Sequence, residues 1–251
     1  MPVTFITGAT SGFGKAAAEK FAANGHDLII NGRRAERLET LSRELQDKYK
    51  INVLTLSFDV REQAAVFNAV QNLTGKWRHI DVLVNNAGLA AGRDFFNEAD
   101  LNDWNTMVDT NIKGFMYVAQ AVSQLMVPLK KGHIVNIGSI AGKQVYEKGN
   151  VYCATKHAVD ALNQAMRIDL LRHNIKVTAI HPGAAETEFS LVRLKGDAQA
   201  ASEVYTGMKA LTAEDIAETI YWATSLPAHV CVNDMVVTCV QQADAFYYNR
   251  I

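Results

Sequence analysis

The chain has 251 residues, 49% of them apolar and 20% charged, the composition of a globular protein with ample material for a core. Twenty-five Lys and Arg against 26 Asp and Glu leave a formal charge of −1. No one-signed field is therefore available to gather nucleic acid or an anionic membrane, and neither is expected as a partner.

Cys153, Cys231 and Cys239 show no CxxC spacing, so neither a disulfide framework nor a zinc site is expected, and no metal is assigned. The N-terminal residues run straight into an apolar stretch without a basic region before it. Nowhere do about 18 apolar residues follow one another. A cytoplasmic protein with reduced thiols is the expectation.

Residues 3–7 are short, apolar and β-branched. A glycine-rich turn then leads to an alanine-rich helix over 15–24, which Gly25 ends. A buried strand is predicted over 26–31 and a charged helix over 36–48, with Leu38, Leu41 and Leu45 on one face. Strand signals recur at 52–58, 81–85 and 132–137, with helices over 63–73 and 104–127 between them. Strands over 175–180 and 234–240 close the series, separated by a long irregular stretch and an acidic-start helix over 213–224.

Several of these strands are continuous apolar runs, as burial on both faces requires. Strands alternating with helices predict an α/β fold, doubly wound and Rossmann-type, with a mostly parallel central sheet. No linker, low-complexity tract or repeat interrupts the pattern, so 1–251 is expected to be a single dinucleotide-binding domain.

Gly8-Ala9-Thr10-Ser11-Gly12-Phe13-Gly14 lies between the first strand and the first helix. Glycines let the backbone approach a pyrophosphate closely, and the helix start offers free N–H groups and its positive dipole end. A plain glycine turn is the alternative, but this position in a strand–turn–helix unit favours a nucleotide. At the end of the second strand an acidic residue would accept bonds from the ribose of NAD. Here Asn31-Gly32-Arg33-Arg34 has no carboxylate, and a guanidinium fork suits the 2′-phosphate of NADP. NADP is the expected coenzyme.

Tyr152 and Lys156 stand four residues apart, on one face of a helix. Ser139 lies just past the strand near 134–137, at the end of an open sheet where ligands bind. Asn111 adds a polar group inside a long helix, where asparagine is unfavourable by propensity. A carbonyl being reduced develops negative charge on oxygen, which calls for a proton donor and a fixed hydrogen bond.

Residues 7–14, Asp59-Val60, Asn85-Asn86-Ala87-Gly88, Asn111, Ser139, Tyr152, Lys156 and Pro182-Gly183 followed by Thr187 together resemble the short-chain dehydrogenase/reductase family, over essentially the whole chain. The resemblance implies that Gly8, Thr10, Ser11, Gly12, Phe13 and Gly14 hold the pyrophosphate. By the same resemblance Asp59 and Val60 meet the adenine, Asn86 lies by the adenosine ribose, and Pro182, Gly183 and Thr187 border the nicotinamide. Ser139 would bond the substrate oxygen, Tyr152 exchange its proton, and Lys156 bind the nicotinamide ribose. Asn111 would help hold a water in a proton relay. A homotetramer built on the long helices is also implied.

A substrate lid is expected near residues 184–210. Its run T-E-F-S-x-V-R-x-K-G-D, with Leu226-Pro227-Ala228-His229-Val230 later, resembles the NADP-dependent 3-hydroxy acid dehydrogenase branch, which includes serine and allo-threonine dehydrogenases. Ala184-Ala185-Glu186 departs from the glycine-rich stretch expected before it. The branch implies a small 3-hydroxy acid or β-hydroxy amino acid and its 3-oxo form.

Such a substrate needs a cation for its carboxylate. Arg193 is the candidate and Lys195 a weaker one; the alternative is that Arg193 pairs with Asp197 one helical turn away. His181 is assigned a structural place, and Trp104, Met107 and Tyr117 are expected in the core or an interface. Residues 239–251 match no pattern. Competing expectations are a general carbonyl, pteridine or ketoacyl reductase, and a non-catalytic NADP-binding regulator. The presence of both Tyr152 and Lys156 opposes the regulator.

Overall fold

A computed structural model describes residues 1–251. Seven strands make one sheet: β1 (Val3–Ile6), β2 (Asp27–Gly32), β3 (Val53–Ser57), β4 (Ile80–Asn85), β5 (Gly132–Ile137), β6 (Ile175–Pro182) and β7 (Asp234–Val237). Their order is β3-β2-β1-β4-β5-β6-β7, and every pairing is parallel. The expected "mostly parallel" sheet is thus wholly parallel, because each strand-to-strand connection crosses over a face of the sheet. The order reverses between β1 and β4, the switch point beyond which open sheets bind ligands.

Helices cover both faces. On one, α1 (Gly12–Ala23), α2 (Ala35–Tyr49) and α9 (Ala213–Ser225) pack Ala17, Phe21, Leu38, Leu45, Ile216 and Ile220 onto Ile6, Leu28 and Ile30. On the other, α3 (Gln63–Gln71) and α5 (Phe115–Leu129) bury Val66, Val70, Val118 and Val122 against Phe5, Ile29 and Leu83. The alternate residues of β1 and β2 therefore serve opposite layers, which is why these strands are apolar throughout. The predicted leucine stripe of α2 is fully buried, and each such leucine is worth roughly 1.5–3 kcal/mol. No helix is long and apolar enough to cross a membrane.

Three predicted elements differ in form. The helix expected over 104–127 is α4 (Leu101–Val108), a π-helical turn at Asp109–Gly114, and α5. The wider turn meets distant parts of the chain: a Cβ at Gly114 would meet Val60, and the Asn111 side chain is drawn onto the loop after β4. The last strand ends at Val237 instead of 240, since the chain then leaves the sheet. The irregular stretch holds two short helices, α7 (Glu188–Arg193) and α8 (Ala198–Glu203). Between β5 and β6 runs α6 (Asn150–Leu170).

Candidate active site

After β1 the chain turns through Gly8, at φ +67°, and Gly12, at φ +50°, a left-handed conformation that glycine adopts without strain. A Cβ on Gly14 would collide with the Gly8 carbonyl, so α1 starts hard against the turn. Ser11 precedes α1 with no capping bond from its side chain, leaving the first N–H groups of the helix open. Asn86, just past β4, pins the turn: its amide donates to the carbonyls of Thr7 (2.9 Å) and Gly8 (3.4 Å).

At the end of β2, Arg34 Nη2 donates to Thr10 Oγ1 at 3.0 Å and to Ser11 Oγ at 3.5 Å, laying its guanidinium along the turn. Arg33 lies 3.8 Å from Asp59, which Arg61 grips in a fork with bonds of 2.7–3.1 Å. Those cations hold the Asp59 carboxyl below its usual range despite an opposing desolvation, the largest single influence on it. Val60 is buried against Gly114. Open helix donors, a turn with glycine at positions 8, 12 and 14, and two guanidinium groups beside it fit a dinucleotide carrying a 2′-phosphate.

Ser139 follows β5 and opens a single 3-10 turn, where its Oγ accepts from Ala141 N at 3.1 Å. Tyr152 and Lys156 lie buried on α6, facing that turn. Lys156 Nζ donates to the Ile137 carbonyl at 2.9 Å, tying α6 to the end of β5. Asn111 Oδ1 accepts from Leu89 N (2.9 Å), while its amide donates to Leu89 O (2.7 Å) and Thr155 Oγ1 (3.1 Å). Both amide protons are taken, so a water could use only the spare lone pair on Oδ1 or the backbone. A Cβ at Gly88 would come within 3.2 Å of Asn111 Oδ1 and 3.6 Å of Lys156 Nζ, which places these two groups around one small space.

Burial dominates the electrostatics. It pushes the Tyr152 phenol well above its ordinary value, with the Tyr146 phenol adding to this; the Ser139 hydroxyl and the Arg193 charge pull it back. Burial lowers Lys156 to about 8. His181 stands behind Ser139, its Nδ1 3.2 Å from the Ser139 carbonyl and its Nε2 3.3 Å from Asp234. Lys143 bridges Asp234 (2.7 Å) and Asp160 (2.8 Å) in the same cluster, and Gly138 leaves room for the imidazole.

A cleft of about 680 Å³ opens beyond β5 and β6, bounded by Ser139, Tyr152, Pro182, Gly183, Thr187 and Arg193, with Phe13 at its edge. Lys156 and Asn111 lie behind its wall. The lid crosses it with two side chains one turn apart on α7: the Phe189 ring centroid is 5.6 Å from that of Tyr152, and the Arg193 guanidinium carbon is 5.5 Å from the same ring.

Arg193 does not pair with Asp197, contrary to that alternative; Asp197 instead caps α8 by accepting from Ala200 N at 2.9 Å. Arg193 Nη1 donates to the Tyr146 hydroxyl (2.8 Å), and its buried Nη2 has no partner. Lys195 is engaged with Asp103 at 2.8 Å.

Tyr146 and the C-terminal residues Gln242, Tyr248 and Arg250 also line the cleft and were not expected there. Their segments carry no periodicity, and only an aromatic six positions before Tyr152 hinted at Tyr146. Met107 is buried beside Tyr152 and Cys153, Trp104 packs on that cluster, and Tyr117 is a partly buried neighbour of the opposite core.

An open parallel sheet with a glycine-rich phosphate turn and a tyrosine–lysine pair past its switch point defines a nucleotide-dependent oxidoreductase architecture. The chain belongs to the short chain dehydrogenase family, whose pattern matches residues 2–196. It is 47% identical to the NADP-dependent 3-hydroxy acid dehydrogenase YdfG of Salmonella typhi, over 97% of each chain. A sulfoacetaldehyde reductase of Chromohalobacter salexigens is 45% identical, over 95% of this chain and 94% of that one. The closed form of serine dehydrogenase complexed with NADP+ superposes with a TM-score of 0.92 at 43% identity, over 99% of both chains.

Proposed function

We propose that residues 1–251 act as one NADP-dependent oxidoreductase domain that interconverts a small 3-hydroxy acid or β-hydroxy amino acid and its 3-oxo form. The observation that carries this is the cleft itself, where a buried phenol, a serine hydroxyl and a guanidinium with an unpartnered N–H converge within one lid-covered space. The names of the relatives and of the solved serine dehydrogenase agree with it.

In this proposal the turn at Gly8, Thr10, Ser11, Gly12, Phe13 and Gly14 receives the pyrophosphate, and Arg33 and Arg34 the 2′-phosphate. Asp59, Val60 and Asn86 border the adenosine; Pro182, Gly183 and Thr187 border the nicotinamide. Bound there, the coenzyme supplies or accepts the hydride. Ser139 Oγ fixes the substrate oxygen. Tyr152, its phenol kept protonated by burial, gives that oxygen a proton in reduction and takes one back in oxidation. Lys156 binds the ribose, and Asn111 holds the loop at Leu89 that faces it.

Arg193 takes the substrate carboxylate through its free Nη2. Replacing it with Met is expected to raise KM for 3-hydroxy acids at least about tenfold and to spare neutral alcohols. If acidic and neutral substrates suffer alike, Arg193 only holds the lid in place, through its bonds to the Tyr146 hydroxyl (2.8 Å) and, from Nε, to the Gly92 carbonyl (3.4 Å).

A sulfonate offers a guanidinium the same charge and a similar array of oxygens, and the similarity to sulfoacetaldehyde reductase favours testing it as a second substrate class. A panel with NADPH should therefore include sulfoacetaldehyde beside 3-oxo acids; preference for neutral carbonyls would move the assignment to a general carbonyl reductase. We further propose a homotetramer, supported by exposed Leu101, Ile168 and Leu171 on or beside the long helices, and a cytoplasmic location. Sedentation by analytical ultracentrifugation checks the first.

A further inference from the structure

The guanidinium groups beside the glycine turn already face an anion from the lid. Glu188, the first residue of α7, places Oε1 3.4 Å from Arg37 Nη1 and Oε2 3.7 Å from Arg34 Nη2. Arg34 is the same side chain that reaches Thr10 and Ser11, and Arg37 lies one turn further along α2. The contact spans 151 positions of sequence and joins two parts of the fold that the sheet does not connect directly. Next to it, Thr187 packs against Gly12, where a Cβ would meet its side chain at 3.6 Å. The root of the lid and the phosphate turn are thus in contact at two adjacent residues.

We propose that Glu188 is a lid carboxylate that competes with the coenzyme's 2′-phosphate for Arg34 and Arg37, so that filling the phosphate site releases α7 from α2. The inference rests on NADP being the coenzyme. A phosphate monoester carries nearly two charges and three acceptor oxygens, against one charge and two oxygens for Glu188, so it displaces the carboxylate. All three side chains are about half exposed, at 44%, 52% and 49%, so the ion pair is weak enough to exchange readily. NAD has a ribose hydroxyl in place of that phosphate and leaves Glu188 on its arginines. Glu188 therefore tempers the preference for NADP over NAD while tying lid position to which coenzyme is bound. Arg37 becomes a third cation of the phosphate site.

Calorimetric titration of the whole protein with adenosine 2′,5′-bisphosphate and with AMP isolates the 2′-phosphate from the rest of the coenzyme. E188Q should bind the bisphosphate about two- to fivefold tighter than wild type at low ionic strength, with AMP binding unchanged. The bisphosphate lacks the nicotinamide half that would reorder the lid, so it should also speed tryptic cleavage of wild type after Arg193 and Lys195. E188Q should show that faster cleavage without ligand. Equal or weaker bisphosphate binding by E188Q, or cleavage of wild type that the bisphosphate leaves unchanged, overturns the proposal. A wild-type protein that does not favour the bisphosphate over AMP overturns the coenzyme assignment beneath it.

Discussion

At Tyr152, burial and charge act against each other. Desolvation raises the phenol far above its ordinary value, and the nearest groups that lower it are Ser139 and Arg193. A phenol held neutral is suited to donate a proton to a developing alkoxide. Tyr152→Phe keeps the ring that meets Phe189 but removes the proton, so turnover should disappear while NADPH affinity, read by fluorescence titration, changes little. Loss of coenzyme binding instead would assign Tyr152 to the coenzyme pocket.

Lys156 supplies the complementary test. Its ammonium, lowered to about 8 by burial, is present below that pH and lost above it. If its charge meets the coenzyme, NADPH affinity should fall as pH rises through about 8, and Lys156→Met should be weaker at neutral pH and flat across that range. Ser139, Tyr152 and Lys156 were legible in the sequence because each is fixed by its distance from a strand end or along one helix. Tyr146 with Arg193, and Glu188 with Arg37, were not. Those pairs are made by the lid folding back over the sheet, and no local spacing encodes that return.

Among the elements, the β5–β6 pair carries a buried acid-sensitive contact. His133 Nε2 lies 2.7 Å from Thr178 Oγ1, and that hydroxyl donates to the Val232 carbonyl, so the ring must supply the proton to Thr178. Burial first, and the Lys176 charge second, lower His133 from 6.5 to about 3. The unfolded chain therefore takes up a proton below pH 6.5 that the native chain refuses until about 3. Stability falls as pH drops through that window, by about 2 kcal/mol at pH 5 from this residue. His133→Gln should flatten the loss of thermal stability between pH 7.5 and 5, leaving a smaller slope from His26 and His181, which burial lowers in the same direction. An unchanged slope would mean that the ring protonates in the folded state.

The strands and most helices were legible because continuous apolar runs and the 3.6-residue stripe of α2 record burial directly. The π-turn at Asp109–Gly114 was not, since its causes, Val60 and Leu89, come from other parts of the chain.

On the scale of the whole molecule, the C-terminal residues act as a strap over the cleft. Gln242 Oε1 accepts from Ala184 N at 2.7 Å, just past β6, and Ala245 N donates to Gln144 Oε1 at 2.8 Å, before α6. Gln241 accepts from Lys209 N at 2.6 Å, Ile251 N donates to the Gly207 carbonyl at 2.9 Å, and Arg250 donates to the carbonyls of Thr206 and Val204. The strap thus joins the end of the lid to both strands that flank the site. It has no apolar periodicity because its contacts are polar and to backbone, which explains its silence in the sequence.

Arg250→Ala removes two partly solvated contacts worth about 1 kcal/mol together, and should lower the melting temperature by roughly 2–4 °C. With α8 less firmly held, KM for the substrate should rise several-fold, whereas NADPH affinity, set on the far side of the lid at the glycine turn, should stay constant. A parallel loss of both affinities would show that the strap supports the entire lid, including Thr187 and Glu188. A fall in melting temperature with unchanged KM would confine it to stability.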